Sequence, residues 1–244
     1  MQAVKKYIPA TLRRLVKISL RRSKDFFIGS HKKMAGGYGN ENNLHCIKSI
    51  EQPIKLTETA IFKTHNIGLA IAKLNNIIIG PGQIFSFWKL VGNPSQKNGY
   101  KKSRSIVGHS LQEEVGGGLC QLSGLIYFLA LHAGLIITER HSHSLDIYKE
   151  EERFTPLGSD ATVVYGYKDL RFLNPNDFPI LLSFSLTERV LTGKLLSTVP
   201  TEPFDIEFVY QYHTSSTGVT TIRKKNGRSF TLSSNSYALL YNRN

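Results

Sequence analysis

The stretch that decides the fold is Gly116-Gly117-Gly118-Leu119-Cys120-Gln121-Leu122-Ser123, which continues as an apolar run to Gly134. Three consecutive glycines let the backbone turn through conformations that other residues disfavour. The run that follows contains no proline and is long enough for a buried helix. The sequence therefore predicts a helix that begins at or near Cys120 and stops at Gly134.

Cys120 is placed by this pattern beside the unpaired N–H groups of a helix N-terminus. The positive end of the helix dipole favours a thiolate, and the free N–H groups can bind an oxyanion. A single cysteine before an apolar helix is more often a small buried hydrophobe, but the glycine turn shifts the balance. We therefore predict that Cys120 is a nucleophile, supported by Gly116, Gly117 and Gly118.

The segment 135–144 reads as a strand that enters a polar loop. Because side chains alternate along a strand, Glu139, His141 and His143 are expected on one face. If a strand beginning at Asp160 pairs with this segment as a hairpin, its carboxylate lies near His143. We predict His143 as the base and Asp160 as its orienting group.

Three further roles remain to be assigned. Asp169 is the alternate orienting group for the imidazole, and the backbone N–H of Cys120 with the side-chain amide of Gln121 are the predicted oxyanion donors. His141 and His143 could instead bind a metal with Glu139 or Cys120. Closely spaced residues on one strand rarely complete a tetrahedral site, so we predict neither a metal nor another cofactor.

Secondary-structure signals change along the chain from helical to extended. Residues 77–79 and 84–88 flank a Gly-Pro-Gly turn, and later β-rich runs lie at 161–165, 169–172, 180–186, 190–196, 204–212, 220–224 and 229–232. Helices early and strands late favour an α+β fold over an alternating α/β fold. We expect the cysteine-bearing helix to pack on a largely antiparallel sheet, with a basic helix at the N-terminus.

Composition divides the chain into three parts. Residues 1–45 read as a basic amphipathic helix and a glycine- and asparagine-rich linker. Residues 46–200 form the predicted main domain, and residues 201–244 are a β-rich C-terminal extension that we expect to pack on the same domain.

The N-terminal part carries most of the net charge of +13. Residues 1–33 contain ten Lys and Arg side chains against one Asp, and apolar residues are interleaved with them: Leu12, Leu15, Val16 and Leu20. Such a helix binds an anionic membrane surface or ribosomal RNA, or is a solvated helix packed on the domain. The membrane and the solvated-helix interpretations stay open from the sequence.

Other features restrict partners and location. Beyond residue 34 the charge is nearly balanced and no zinc-finger or basic-aromatic pattern occurs, so we predict no dedicated nucleic-acid binding despite a sequence pI near 9.7. Two cysteines do not form a disulfide framework. No signal peptide or transmembrane helix is recognised, which predicts a cytoplasmic protein or a peripheral one at the inner membrane face.

Several motifs together resemble the VanW family over about residues 50 to 195. They are Pro81–Phe87, Gly99-Tyr100, Gly116–Ser123, Glu139-Arg140 with His143-Ser144, Asp160–Val163 and Asp169–Asn174. Related VanW domains in cell-wall proteins act as L,D-transpeptidases through a cysteine thioester, and by resemblance that cysteine is Cys120. The resemblance also implies a connection with glycopeptide resistance.

Two functions follow from these expectations. The first is a cysteine acyl-transferase, similar to an L,D-transpeptidase, or a hydrolase that acts on peptidoglycan stem peptides or their precursors. The alternative is a non-catalytic VanW-like module that binds a cell-wall or membrane component. The lack of a recognisable export signal favours action on a precursor over crosslinking in place.

Overall fold

The computed structural model describes residues 9–55, 60–107, 110–146 and 153–239. The helices are α1 (Ala10–Phe27), α2 (Ala60–Leu74), α3 (Phe87–Val91) and α4 (Leu119–His132). The strands before α4 are β1 (Gly37–Tyr38), β2 (His45–Pro53), β3 (Ile77–Ile79), β4 (Ile84–Ser86), β5 (Lys102–Val107) and β6 (Ser110–Val115). Those after it are β7 (Ile136–Glu139), β8 (Leu145–Asp146), β9 (Arg171–Leu173), β10 (Ile180–Leu186), β11 (Val190–Ser197), β12 (Asp205–Tyr212), β13 (Ser216–Lys225) and β14 (Arg228–Leu239).

The strands form several small sheets instead of one large one. A five-stranded sheet has the order β1-β3-β10-β11-β2, and a four-stranded sheet has the order β12-β13-β14-β8. Strands β4, β9 and β7 form a third sheet, and β5 pairs with β6. Pairing is antiparallel throughout these sheets except between β8 and β14, which run parallel. The predicted α+β class with largely antiparallel pairing is confirmed.

Helix α4 packs on the five-stranded sheet against β2 and β11. Leu122, Leu125 and Leu129 are fully buried there. The helix comes so close to the sheet that a Cβ atom at Gly193 of β11 would lie 2.9 Å from Leu125. This contact fixes the position of the first turn of α4, which carries Cys120.

The predicted linker at 34–45 is in part a strand. Gly37 and Tyr38 pair with Ile78 and Ile77 at the edge of the five-stranded sheet. A Cβ atom at Gly39 would lie 2.6 Å from the Ile78 side chain, so this glycine permits a close approach. Glycine in this segment therefore serves packing as well as chain flexibility, and residues 37 and 38 belong to the five-stranded sheet, while the predicted boundary at residue 46 stays a prediction.

Two predicted strands also differ in the structure. Residues 161–163 have no regular secondary structure, and Val164 makes only an isolated bridge to Lys168. Phe87 and Trp88 begin helix α3 because the Ser86 side chain caps it and Asp169 accepts a hydrogen bond from the Trp88 N–H. The carboxylate that starts this helix lies 81 residues away in the chain.

The C-terminal strands contact the domain at the end of α4. The His132 imidazole is bonded to the carbonyl oxygen of Phe204 at 2.8 Å, and the Phe204 N–H donates to the His132 carbonyl. The rings of Phe128 and Phe208 are 5.9 Å apart. Through these contacts β12, β13 and β14 lie beside α4, which brings β14 close to the region around Asp160. The predicted segments 1–45 and 201–244 extend outside the described residues at 1–8 and 240–244.

Candidate active site

The glycine triplet sets the start of α4 by two different physical requirements. Gly116 and Gly118 have φ values of +89° and +99°, a region that is strained for residues with a Cβ atom. At Gly117 a Cβ atom would lie 2.5 Å from the backbone oxygen of Ser103. The Asn66 side chain of α2 holds this turn by donating to the Gly117 carbonyl at 3.0 Å. None of the three glycines can therefore be replaced without moving the turn.

Cys120 is the second residue of α4, and its side chain is half-buried. The sulfur lies 3.8 Å from the carbonyl oxygen of Val163. It also interacts with the His143 imidazole, whose pKa it raises. The Cys120 N–H lies in the first helical turn, between the N–H groups of Leu119 and Gln121, which donate to the glycine carbonyls of the turn. It is therefore the N–H of this turn that could donate to an oxyanion at the sulfur.

His143 is held by Asp160 through two contacts to a single carboxylate oxygen. The Asp160 Oδ2 atom accepts from the backbone N–H of His143 at 2.6 Å and lies 2.8 Å from His143 Nδ1. Because Nδ1 faces the carboxylate, Nε2 is the nitrogen left for the sulfur. The structure thus brings Cys120, His143 and Asp160 together in the order of a nucleophile, an imidazole and an orienting carboxylate.

Electrostatics keep this imidazole charged. Burial by itself would lower the pKa of His143, but the hydrogen bonds and charges of Asp160 and Cys120 raise it to about 10. Burial would raise the pKa of Asp160, but His143 and the Arg140 guanidinium hold it well below its usual range. At neutral pH His143 is therefore an imidazolium, the partner with which a cysteine reacts as a thiolate.

Arg140 and Tyr237 fix the second oxygen of the Asp160 carboxylate. Asp160 Oδ1 accepts from the Tyr237 hydroxyl at 2.6 Å and from Arg140 Nη2 at 3.0 Å. Arg140 Nε also donates to the backbone oxygen of Asp160 at 2.8 Å. The carboxylate is thus bound on both sides, so its position and that of the imidazole are fixed before any substrate arrives.

The segment 159–163 reaches the site by a different route from the predicted hairpin. It runs across α4 at Gly124, and the buried Ser123 hydroxyl donates to the Ala161 carbonyl at 2.6 Å. The Thr162 N–H donates to the His141 carbonyl at 2.7 Å. Strand β7 pairs with β9 instead, so the predicted hairpin was wrong. Asp160 nevertheless lies at His143, because Arg140 and α4 hold an irregular segment there.

The Gln121 side chain forms its hydrogen bond on the side of α4 that faces away from the Cys120 thiol. Its Nε2 atom donates to the carbonyl oxygen of Pro53 on β2 at 3.1 Å. Successive helical residues point about 100° apart, so Cys120 faces residue 163 while Gln121 faces the sheet. The structure therefore gives the Gln121 amide a role in packing α4 onto β2 and not the predicted place at the oxyanion.

Glu139, His141 and Asp169 belong to a neighbouring charged cluster. Glu139 Oε1 lies 3.2 Å from His141 Nε2 and accepts from the Asp169 N–H at 2.9 Å. Asp169 is buried and its carboxylate accepts from Ser86, Trp88, Leu170 and Arg171. Asp169 is thus committed to helix α3 and strand β9 and does not serve as the alternate orienting group. The His141 ring is paired with Glu139, whereas the His143 ring is the one whose pKa the Cys120 thiol raises.

The site includes residues that sequence reasoning missed. Arg140 stood inside a recognised motif but has no local pattern that reveals its role, and Asn66 lies on a helix 51 residues before its partner Gly117. Tyr237 comes from the C-terminal extension, 77 residues after Asp160. Within the described ranges, no group of three or more His, Cys, Asp and Glu side chains is arranged to hold a metal ion.

Of the two thiols, Cys120 is expected to be the more reactive although it is the less exposed. Cys46 is exposed and Cys120 is half-buried. Because only Cys120 contacts an imidazolium, iodoacetamide at neutral pH should alkylate it at least about tenfold faster than Cys46. Peptide mapping of the folded protein by mass spectrometry measures both rates, and a Cys46→Ser variant should keep the rate at Cys120. Faster labelling of Cys46 would contradict the expected activation.

Comparison with known proteins identifies the family of this α+β chain. Residues 62–196 match the family described as VanW like protein, and the chain belongs to this family. It is 32% identical over 135 residues to vancomycin B-type resistance protein VanW of Enterococcus faecalis (strain ATCC 700802 / V583), covering 55% of this chain and 49% of that protein. It is 38% identical over 120 residues to the uncharacterized protein YoaR of Bacillus subtilis (strain 168), covering 49% of this chain and 38% of that protein.

The chain thus spans less than half the length of each of these two relatives. No solved structure matches it. Cys120, His143 and Asp160 lie inside the matched residues, whereas Tyr237 and helix α1 lie outside them.

Proposed function

We propose that the protein is a cysteine acyl-transferase, similar to an L,D-transpeptidase, or an amide hydrolase. The observation that carries the proposal is that the His143 imidazole is held by Asp160, 2.8 Å from its Nδ1 atom, and interacts with the Cys120 thiol at the start of α4. A buried structural cysteine needs no imidazole, and a structural histidine needs no sulfur beside it. The combination at a helix N-terminus supplies the nucleophile, the proton carrier and the oxyanion donor of acyl transfer.

In the first half-reaction the Cys120 thiolate attacks the carbonyl carbon of a substrate amide. The tetrahedral oxyanion that forms is stabilised by the N–H at the start of α4. As the C–N bond breaks, the His143 imidazolium gives its Nε2 proton to the leaving amine. The products are a thioester on Cys120, a free amine and a neutral imidazole held by Asp160.

In the second half-reaction an amine or water attacks the thioester carbonyl. Neutral His143 takes one proton from this nucleophile, and the C–S bond breaks to return the thiolate. An acceptor amine gives a new amide, which is transpeptidation, and water gives a carboxylic acid, which is hydrolysis. Asp160 remains ionised throughout and orients the ring in both steps.

The substrate class that we propose is the peptidoglycan stem peptide or its precursor. Membership of the VanW family supports this class, since the resemblance implies a cell-wall acyl transfer. The name of the Enterococcus faecalis relative connects that protein with vancomycin resistance, which also supports a cell-wall substrate here.

The test is incubation of the full chain with purified stem peptides, with and without an acceptor amine. The expected result is a shortened or crosslinked peptide, detected by liquid chromatography and mass spectrometry, that is absent with Cys120→Ala. Binding of the peptides without any product, unchanged in Cys120→Ala, would overturn the enzyme proposal. That outcome would establish the non-catalytic binding module instead.

Removal of the Tyr237 hydroxyl should have a smaller, measurable effect. Tyr237→Phe deletes one of the hydrogen bonds that fix Asp160, and we expect a loss of about 1 to 2 kcal/mol of stability. The turnover number should fall by about three- to tenfold while KM changes little, because the ring orientation is disturbed and the substrate contacts are not. Tyr167→Phe, at a tyrosine that is 43% exposed, is the matched control. Equal turnover numbers in both variants would contradict the positioning role.

A further inference from the structure

Helix α1 is attached to the domain by its charged face. Four residues of this helix are less exposed than their neighbours and recur every three or four positions: Arg14, Ile18, Arg21 and Asp25. Arg21 donates to both carboxylate oxygens of Glu139 at 2.5 and 2.9 Å, and Arg171 donates to both oxygens of Asp25 at 2.7 and 3.0 Å. Two bidentate ion pairs therefore fix the orientation of the helix around its axis.

The opposite face of α1 is apolar and points away from the domain. We call this face the α1 stripe; its residues are 50% to 85% exposed and are Leu12, Leu15, Val16, Leu20, Phe26 and Phe27. A helix that packs on its own domain places its apolar residues inward. In α1 the charged face meets the domain and the apolar face is exposed. The amphipathic pattern therefore does not serve to pack apolar residues on the domain. Ser19 and Ser23 lie within the same arc, and the six large apolar side chains around them suit an external apolar partner.

Exposed cations lie along both edges of the α1 stripe. Arg13, Lys17 and Lys24 follow one edge and Arg22 follows the other, given 3.6 residues per turn. The single acidic residue of the segment, Asp25, is turned inward and paired with Arg171. The outward surface thus combines an apolar centre with a purely cationic border, which is complementary to a bilayer with anionic headgroups.

We propose that α1 binds flat on the surface of an anionic lipid bilayer, with the α1 stripe inserted among the acyl chains. Among the described residues, no helix is both long and apolar enough to cross a membrane, so binding along the surface is the mode that the helix supports. The arginine and lysine side chains at its edges would contact the headgroups, while Arg21 and Asp25 keep the domain attached.

This binding would place the candidate site near the lipid surface. The turn that receives α1 spans residues 164–168: the Tyr167 carbonyl accepts from Arg21 at 3.1 Å, and Gly166 packs against Arg14 and Ile18. Val163, whose carbonyl contacts the Cys120 sulfur, immediately precedes this turn. A substrate held at a membrane surface would therefore lie close to the thiol.

The test is co-sedimentation of the full chain with sucrose-loaded vesicles. We expect binding to phosphatidylglycerol and phosphatidylcholine mixtures, and at least about tenfold weaker binding to pure phosphatidylcholine or in about 1 M salt. A Leu12→Ser, Val16→Ser, Leu20→Ser variant should lose binding by at least about tenfold, since each lost side chain removes apolar insertion. Val209→Ser with Phe230→Ser is the control for exposed apolar residues outside α1.

The charge contribution has its own matched pair of variants. Arg13→Glu with Lys17→Glu should weaken binding to anionic vesicles. Lys97→Glu with Arg228→Glu changes the net charge equally at exposed sites outside α1 and should leave the binding unchanged.

Equal binding of the stripe variant and the parent would overturn the proposal. So would self-association through α1 without vesicle binding, which would make the stripe an interface between copies. Cys120→Ala should bind vesicles normally, so failure of the proposed enzyme function would be seen separately.

Discussion

Cys120→Ala should lower the rate of acyl transfer by about four orders of magnitude or more, to the level without enzyme. The physical reason is that in the proposed reaction the sulfur forms the covalent intermediate, and alanine offers no atom that can replace it. The fold should remain, since Cys120 is half-buried at the edge of the hydrophobic core and alanine keeps the Cβ atom there. Product formation from stem peptides measures the rate, and thermal unfolding checks the fold.

Cys46→Ala is the matched control for this substitution. Cys46 lies on β2 and is exposed, so its replacement should leave both the rate and the melting temperature unchanged. If Cys120→Ala kept more than about a tenth of the parent activity while unfolding normally, the sulfur could not be the nucleophile.

Asp160→Asn should affect charge, catalysis and stability together. The carboxylate raises the pKa of His143, so the amide should return it from about 10 towards its ordinary value of 6.5. The variant would then hold a mostly neutral imidazole at pH 8, and acyl transfer should fall by about 10² to 10⁴-fold. An NMR titration of the His143 ring measures the pKa directly, before any substrate is known.

The stability change in this variant has a defined sign. The pKa of His143 is higher in the folded than in the unfolded chain, so its contribution is complete below about 6.5 and is lost as the pH rises through about 10. Asp160→Asn should remove this pH dependence and leave the Arg140 guanidinium, whose side chain is 5% exposed, without its anionic partner. We expect a loss of about 3 kcal/mol at neutral pH by urea unfolding.

Asp205→Asn is the control for the loss of a carboxylate at an exposed position, with an expected change within about 0.5 kcal/mol. A His143 pKa that stays near 10 in Asp160→Asn would contradict the assigned origin of the shift. A normal rate in that variant would contradict the orienting role of Asp160.

The sequence predicts local features well where one physical cause dominates. Short β-rich runs bounded by turn residues predicted the observed bounds of β10, and those of β11 and β12 to within one residue. The glycine triplet marks the start of α4 because two of its residues need positive φ values and the third admits the Ser103 backbone. These signals lie within a few residues of the structure that they determine.

The arrangement around His143 could not be predicted in the same way. The approach of Asp160 depends on Arg140 and on the passage of residues 159–161 over Gly124, which are tertiary contacts of irregular segments. The predicted hairpin therefore named Asp160 correctly as the neighbour of His143, although the structure brings the two together through other contacts. Tyr237 lies on a distant strand and gives no local signal, since an alternating strand pattern does not reveal which tyrosine will be buried at 0% exposure.

Helix α1 shows a similar limit. Its amphipathic pattern was evident from the sequence, but the pattern does not say which face meets the domain. The bidentate pairs of Arg21 with Glu139 and of Arg171 with Asp25 decide this, and both partners lie more than a hundred residues away. The outward direction of the apolar face became apparent only in the structure.

Detection of the thioester on Cys120 is the measurement that tests the central claim most directly. The protein is incubated with a stem-peptide donor in the absence of an acceptor amine, quenched in acid and mapped by mass spectrometry. We predict an added mass equal to the acyl part of the donor on the peptide that contains Cys120, released by hydroxylamine and absent in Cys120→Ala. Donor turnover without an adduct on Cys120, or an adduct that persists in Cys120→Ala, would contradict cysteine acyl transfer at this site.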